Sequence, residues 1–482
     1  MTGEIIELMG DNNVYKLGVK NVIFSLLTQG FYFTLSIVTG LLLPKAMGVT
    51  QYGHWQVYQF YVGYIMLFWF GFNDGLYLRY GSLNYRQLPF DRLRSAIRIF
   101  MLVSFVLACI LFALSFLEDD INKVFAFCAT SINLLILGIN GTLLMILQFT
   151  NRIKLYSALT IANKVLFVVL IVALLFLKWV DFRIIIITDI FTKLVLVGVN
   201  IYNSKELFLG HSQSIALGLG EYWQDVKVGI KLMFANIISS LLIGIGRFMV
   251  ERFMSLESYS LYSFATTITS FALTFIAAAS LAMYPLLTRV ARDKRPVFYK
   301  DLNTLLCMNL FLLLAGYYPI YYLIEYYYYD FSGIFEYFYL LFIIIVSQGK
   351  MLFLINTYYK VLREEKAMML ANISGAVVAL VVIIPSFHYT HSIFAIVVGT
   401  TLTLIWRCYA SEIYLKKKMG IKGYGNIAVE LGMMGLFIVG IISGKPKIGF
   451  VLYILAVCVY GFVNRAILWS YSRKIFRLVI ER

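Results

Sequence analysis

A succession of long apolar runs constrains this chain more than any other feature of its sequence. A bilayer core needs about 20 apolar residues for each helical crossing, and it offers the backbone no water to bond with. A helix satisfies its backbone within its own segment, whereas an open sheet leaves edge groups unpaired. We therefore predict an all-α membrane protein of about 14 transmembrane helices. The predicted spans cover residues 18–43, 55–78, 95–117, 122–149, 155–177, 183–203, 228–250, 258–286, 302–325, 334–358, 367–387, 391–415, 428–444 and 447–468.

The composition agrees with a membrane protein and excludes soluble classes. Hydrophobic residues make up 61% of the 482 residues and charged residues 14%, against about 45–50% and about 25% in soluble domains. A net charge of +16 would suggest a nucleic-acid partner in a soluble protein. Here the cations lie in short connections between apolar runs, so we expect no nucleic acid and no soluble catalytic domain.

The distribution of Lys and Arg predicts the orientation in the membrane. Most of these residues fall on every second connection and in a basic tail, residues 469–482, whereas the remaining connections carry few. By the positive-inside rule, the side rich in Lys and Arg is cytoplasmic. An even number of spans then places both termini, including the segment 1–17, in the cytoplasm.

Short matches between the two halves of the chain indicate an internal repeat. Three pairs recur at nearly the same offset: Lys16-Leu-Gly-Val-Lys20 with Lys227-Val-Gly-Ile-Lys231, Met47–Tyr52 with Met254–Tyr259, and Ala162-Asn163 with Ala371-Asn372. Six spans per half is an even number, so the halves point the same way, and transporters built from parallel halves bind their cargo between them. The predicted parts are an N-terminal lobe at 18–203, a cytoplasmic linker at 204–227, a C-terminal lobe at 228–415 and two extra helices within 416–468.

Polar side chains recur at helical spacing on three predicted spans. Such residues either line a water-filled cavity or hydrogen-bond to neighbouring helices. Both interpretations stay open for any one stripe, but stripes on spans 1 and 7, the equivalent first helices of the two halves, favour a shared central cavity. The candidate lining residues are Gln29 and Tyr32 of span 1, Asn236 and Ser240 of span 7, and Thr267 and Ser270 of span 8.

Once the Lys and Arg assigned to the two sides of the membrane are set aside, four cations remain within the spans: Lys164, Lys193, Arg247 and Lys350. A buried lysine without an acidic neighbour binds an anion or loses its proton, and Lys164 has no acidic neighbour in its span. Arg247 can fork onto phosphate oxygens or pair with Glu251, whereas Lys350 can extend its ammonium to the cytoplasmic surface. All four are candidate cargo-binding residues.

Among the carboxylates within the predicted spans, Asp74 and Asp189 are the candidate coupling groups. Asp189 precedes Lys193 by one helical turn, so the two can form an ion pair. Asp74 either pairs with Arg79 or carries a coupling proton. Because intramembrane cations outnumber these carboxylates, an anionic cargo is favoured over a cationic one.

The sequence carries no catalytic or metal-binding motif. Nucleophile elbows, P-loops and HExxH helices do not occur, and the five Cys have no paired spacing. His388 and His391 share a short connection and are expected to be solvated. We expect a protein that is not an enzyme, holds no metal or cofactor and does not hydrolyse ATP itself.

Three segments near the N-terminus resemble a known family. They are Lys20-Asn-Val-Ile-Phe-Ser25 with Gln29-Gly30, Leu43-Pro-Lys-Ala-Met-Gly48 with Tyr52-Gly53, and Gly71-Phe-Asn-Asp-Gly75 with Arg79-Tyr80. The chain resembles the polysaccharide-biosynthesis flippases (Wzx-type) of the multidrug/oligosaccharidyl-lipid/polysaccharide exporter superfamily, the MOP superfamily. Many relatives carry an acidic residue just before the arginine of span 7, where this chain has Gly246.

The resemblance implies two six-helix lobes around a central cavity lined mainly by spans 1, 2, 7 and 8. It implies a flippase that moves polyprenyl-diphosphate-linked oligosaccharide from the cytoplasmic to the periplasmic leaflet of a bacterial inner membrane by alternating access. The product would supply O-antigen and lipopolysaccharide, capsule or exopolysaccharide, with polymerase and ligase machinery as partners. A proton or sodium gradient is the candidate energy source, with Asp74 or Asp189 as coupling group. The alternatives are a cation-coupled multidrug antiporter of the same superfamily and a membrane-bound polymerase or acyltransferase.

Overall fold

The structure is a computed structural model that describes residues 12–81, 83–288, 290–444 and 446–469. Side chains are described from residue 28 onward, except at 235–236, 238–243, 281–282 and 285–286. The chain divides into two compact units, Met1–Ile237 (unit 1) and Ile238–Arg482 (unit 2). Of the predicted N-terminal segment 1–17, residues 1–11 lie outside the described residues, and so does the predicted tail 469–482 after residue 469.

Unit 1 is built from long helices joined by short connections. Its helices are α1 (Asn12–Tyr64), α2 (Phe72–Tyr80), α3 (Phe90–Ser115), α4 (Ile121–Phe149), α5 (Ile153–Phe176), α6 (Phe182–Asn203) and the first part of α7 (Ile215–Phe253). Short 3-10 turns occupy Ile65–Trp69, Tyr85–Gln87 and Lys205–Leu207.

Unit 2 begins within α7 and has the same helical character. Its further helices are α8 (Leu256–Thr288), α9 (Arg295–Ala315), α10 (Tyr317–Tyr327), α11 (Phe338–Lys350), α12 (Asn356–Val361), α13 (Glu365–Thr390), α14 (Ile393–Lys418), α15 (Gly425–Ile442) and α16 (Pro446–Val463). A π turn, Met351–Ile355, joins α11 to α12. All 13 residues of α11 are buried, so this helix forms the centre of the unit.

The predicted fold class is confirmed. The described residues form helices and no strand, and twelve segments among them are long and apolar enough to cross a membrane. The first of these, Thr28–Trp69, has 42 residues and would extend about 63 Å as one helix, twice a bilayer core of about 30 Å. The predicted count of about 14 spans, with its central cavity, stays a prediction.

Helix α1 bends where the sequence predicted a connection between spans 1 and 2. Gly48 leaves the helical region with φ 69° and ψ 178°, four residues after Pro44. A positive φ favours glycine, which has no Cβ to clash, and proline removes a helical hydrogen bond. These two residues therefore divide α1 into two arms.

The N-terminal part of α7 packs directly on α2. The segment predicted as a linker, 204–227, contains the first turns of α7, and the boundary between the units lies ten residues later, after Ile237. A Cβ built on Gly75 would lie 1.9 Å from the backbone oxygen of Asp225, and one on Gly229 would lie 2.0 Å from that of Gly71. Glycine is required here because the two helices touch by their backbones.

Candidate functional site

A buried polar cluster occupies the interior of unit 1. Asp189 of α6 accepts hydrogen bonds from the Tyr58 hydroxyl of α1 and from Lys193 one turn later, the latter at 2.5 Å. Asn133 of α4 donates to the Tyr58 hydroxyl at 2.8 Å and accepts from Lys193 at 3.2 Å. The predicted Asp189–Lys193 ion pair is thus present, and its charges are compensated locally.

Lys164 of α5 lies beside this cluster without a carboxylate of its own. Its ammonium donates a long hydrogen bond of 3.4 Å to the Thr39 hydroxyl of α1. It also lies 5.4 Å from the centre of the Tyr32 ring and 5.6 Å from that of Phe167. Among the described residues no ion pair includes Lys164, and it is close enough to Asp189 and Lys193 to interact with both charges.

With both of its lysines protonated, the cluster carries one more positive charge than negative. Lys164 and Lys193 face a single carboxylate, Asp189, and Lys193 already holds that carboxylate. Excess charge in a medium of low dielectric attracts an opposite charge more strongly than it would in water. Tyr32, whose ring lies 5.4 Å from the Lys164 ammonium, is 37% exposed.

Sequence reasoning missed two members of this cluster, Tyr58 and Asn133. Both are fully buried, and Asn133 stands in the apolar run of span 4. A buried amide in a membrane helix needs a polar partner, and that rule would have singled it out. Tyr58 carried no such signal, since tyrosine occurs widely in this sequence.

Arg247 of α7 is the candidate cation of unit 2. It is partly buried and lies beside the buried rings of Tyr259 and Tyr262. Glu251 follows one turn later and is buried, and both charged residues interact with other groups. A Cβ on Gly246 would lie 2.7 Å from the Tyr262 hydroxyl, so a larger residue at this position would require the Tyr262 side chain to shift.

Lys350 does not extend to the membrane surface, and that sequence-based interpretation is wrong. Its ammonium is fully buried and bonds Glu412 of α14 at 2.6 Å and both oxygens of Glu430 of α15 at 2.6 and 2.7 Å. Lys416 balances the second negative charge, with its ammonium 3.2 Å from Glu412. With its donors already engaged by carboxylates, Lys350 ties helices together rather than facing a cargo.

Arg79 does not pair with Asp74, so that alternative is also wrong. The guanidinium of Arg79 bonds Asp225 at 2.5 Å and Glu221 at 2.8 Å, both on α7. Burial raises the pKa of the Asp225 carboxyl to about 6, although the charge of Arg79 acts in the opposite direction. Asp74 is partly buried in the first turn of α2 and forms none of the described ion pairs.

The polar residues predicted to line a cavity do not form a single described cluster. Gln29 is exposed. Thr267 is partly buried and Ser270 is exposed, and each donates its hydroxyl to a carbonyl of its own helix, at 2.8 and 2.7 Å. Asn236 and Ser240 lie in α7, but their side chains are outside those described. Within the described part of the chain, no group of three or more His, Cys, Asp or Glu is placed to hold a metal ion.

Comparison with protein families gives one match. The family model described as "Polysaccharide biosynthesis protein" matches residues 19–291, which is more than half of the chain. Comparison with the curated proteins finds no match.

Comparison with solved structures finds membrane transporters. The lipid II flippase MurJ in an inward closed conformation is 13% identical, with a TM-score of 0.65, over 93% of this chain and 100% of that chain. An outward-facing multidrug resistance MATE family transporter of the MOP superfamily is 12% identical, with a TM-score of 0.55, over 83% and 96%. The MATE multidrug transporter DinF-BH is 13% identical, with a TM-score of 0.55, over 84% and 96%. These likenesses show the fold.

Proposed function

The chain belongs to the polysaccharide biosynthesis protein family and has the fold of the MOP-superfamily transporters, and on that premise we propose that it is a flippase for lipid-linked oligosaccharide. The cargo is an oligosaccharide on polyprenyl diphosphate, moved from the cytoplasmic to the periplasmic leaflet of a bacterial inner membrane by alternating access. Both termini face the cytoplasm, and the product passes to polymerase and ligase machinery for O-antigen, capsule or exopolysaccharide. The protein acts as a transporter and not as an enzyme.

The observation that supports this proposal most directly is the positive charge of Lys164. A diphosphate carries negative charge on several acceptor oxygens, and a lysine ammonium offers donors to them. The Lys164 ammonium has a long hydrogen bond to Thr39 and lies near aromatic rings. No described carboxylate forms an ion pair with it that would compete with the phosphate. A phosphate at this position would neutralise the excess charge of the cluster.

The other candidate residues take different roles in the proposal. Arg247 is the second phosphate-binding residue, and Tyr32 stacks on a sugar ring. Lys193 acts indirectly, because its bond to Asp189 keeps that carboxylate from neutralising Lys164. The polar residues proposed to hydrogen-bond sugar hydroxyls are Gln29, Asn236, Ser240, Thr267 and Ser270.

A proton or sodium gradient is proposed as the energy source, with Asp189 or Asp74 as the coupling group. Asp189 suits this role because its carboxylate accepts hydrogen bonds from both Lys193 and Tyr58. Protonation of Asp189 would release Lys193 and increase the positive charge available to the cargo.

The test is the replacement of Lys164 by alanine in the producing cell. We expect Lys164→Ala to lower surface polysaccharide at least tenfold, with lipid-linked oligosaccharide accumulating inside, because the diphosphate loses its counter-charge. Lys164→Arg should retain part of the activity. The measurement is surface polysaccharide and lipid-linked precursor, each relative to the amount of protein in the membrane.

Lys154→Ala provides the matched control. Lys154 lies on the same helix α5 and is exposed, so its removal changes the charge equally without touching the cluster. Normal surface polysaccharide in the Lys164→Ala variant would contradict the site. Dye efflux from vesicles, without any effect on polysaccharide, would instead favour the multidrug antiporter whose fold the chain shares.

A further inference from the structure

A cavity of about 290 Å³ lies in unit 2, and none of its lining residues belongs to the charged cluster of unit 1. It is enclosed by α9, the C-terminal end of α14 and the start of α15. Its lining includes Tyr299, Lys300, Asn303, Lys422, Gly423 and Asn426. We propose that this cavity binds a phosphate group, carried by an anionic lipid head group or by free phosphate.

Two buried polar atoms in the lining have nothing to bond. The Tyr299 hydroxyl and the Asn303 side-chain oxygen have no hydrogen-bond partner among the described residues. Tyr299 is 0% exposed and Asn303 is 4% exposed. Buried polar groups in native proteins almost always have a partner. The Asn303 oxygen can only accept a hydrogen bond, so the Tyr299 hydroxyl is the one of the two that suits a phosphate. The Tyr299 hydroxyl can donate a hydrogen bond to a phosphate oxygen.

The charges around the cavity favour an anion. Next to the cavity, the buried Glu412 and Glu430 are balanced by Lys350 and by Lys416, which is itself a lining residue, so this network has no net charge. Lys300 and Lys422 are exposed, line the cavity and form none of the described ion pairs. The cavity therefore carries a surplus of two positive charges.

The backbone adds donors on the same side. The loop before α15 turns through Gly420 with φ 66° and Gly423 with φ 91°, and no side chain caps the helix at Tyr424. Uncapped N–H groups at a helix N-terminus attract anions. The Lys416 ammonium bonds the carbonyl of Gly423 and the side chain of Asn426, which holds the loop in this form.

The position of the cavity agrees with a lipid head group as one source of phosphate. Lys300 and Lys422 lie on connections that the positive-inside rule predicts to be cytoplasmic. Basic pockets between membrane helices on that side bind anionic lipid head groups. This inference does not depend on the proposed flippase function, since it concerns a separate part of the chain.

The experiment measures thermal unfolding of the purified full chain in detergent with added phosphatidylglycerol, phosphatidylcholine or inorganic phosphate. We expect phosphatidylglycerol to raise the melting temperature and phosphatidylcholine to leave it unchanged. If inorganic phosphate also raises the melting temperature, free phosphate is sufficient to occupy the cavity. If phosphatidylglycerol alone raises it, the phosphate comes from the lipid head group. The absence of a shift with both phosphatidylglycerol and inorganic phosphate would overturn the proposal.

Variants separate the cavity from general surface charge. The double variant Lys300→Ala/Lys422→Ala should lose at least half of the shift, and Lys417→Ala should keep it, because Lys417 is exposed but does not line the cavity. Tyr299→Phe removes only the unpartnered hydroxyl and should also reduce the shift, so it tests the cavity if the double variant does not fold. Equal losses in Lys417→Ala and the double variant, or a full shift in Tyr299→Phe, would refute the site.

Discussion

At the scale of single residues, the lysines inside the membrane differ by what lies opposite them. Lys193 and Lys350 each bond a carboxylate at 2.5–2.6 Å, whereas Lys164 has a threonine hydroxyl at 3.4 Å. In an ion pair within an apolar interior, each charge is already compensated by its partner. The ion pairs of Lys350 also link neighbouring helices. A cation without such a partner can recruit an anion from outside, which is why the proposed function rests on Lys164.

Lys350→Met should strongly destabilise unit 2. The substitution leaves Glu412 and Glu430 buried with one cation between them, and removing one partner of a buried ion pair costs about 3–5 kcal/mol. The measurement is the thermal unfolding of the purified protein, monitored by the circular dichroism of its helices. Lys366→Met is the control, because Lys366 is exposed at the start of α13.

A melting temperature of the Lys350→Met variant equal to that of the control would show that the network contributes nothing. Neutralising Glu430 as well, in Lys350→Met/Glu430→Gln, should recover part of the lost stability. This double variant removes the uncompensated negative charge that Lys350→Met alone leaves in the interior, while Glu412 stays paired with Lys416.

At the scale of helices, backbone contact through glycine determines which helices pack together. Gly71, Gly75 and Gly229 let α2 and α7 approach until no Cβ fits between them. In unit 2, Gly440 and Gly449 do the same for α15 and α16, where a Cβ on Gly449 would lie 2.4 Å from the Gly440 oxygen. In lipid, such close packing replaces the hydrophobic driving force that water would supply.

Gly75→Ala should separate α2 from α7 and destabilise unit 1. Its Cβ meets backbone rather than a flexible side chain, so the helices must move apart, at a cost of about 1–3 kcal/mol or more. Gly198→Ala, within α6, is the control, because nothing lies within 4 Å of its Cβ. Thermal unfolding measures both variants, and equal stability of the two would contradict the described contact.

At the scale of the whole molecule, the chain forms two compact helical units that divide within α7. The family match ends at residue 291, inside the second unit, while the likeness to MurJ covers 93% of the chain. The structural similarity to MurJ therefore extends over more of the chain than the match to the family model does.

The predicted orientation can be measured with reporter fusions. Green fluorescent protein fused after Arg482 should fluoresce, because an even number of spans returns the C-terminus to the cytoplasm. A fusion after Gly444, between predicted spans 13 and 14, is the matched control and should be dark, while alkaline phosphatase at the same two points should give the opposite pattern. A dark fusion after Arg482 would require an odd number of spans.

The class of structure and most helix positions can be predicted from the amino-acid sequence. Apolar runs predict helices because lipid leaves the backbone no other partner, and short connections could be located from Gly, Pro and charged residues, as at Gly48. The ion pair of Asp189 with Lys193 was predictable because both lie on one helix, four residues apart.

The pairing of the buried charges, in contrast, depends on how the helices pack. The partners of Lys350 lie 62 and 80 residues along the chain, and those of Arg79 lie 142 and 146 residues along. No local spacing encodes such separations, so the sequence alone does not identify the carboxylates that pair with Lys350 and Arg79. Charges meet across helices only after the helices pack, and that packing separates the paired lysines from Lys164.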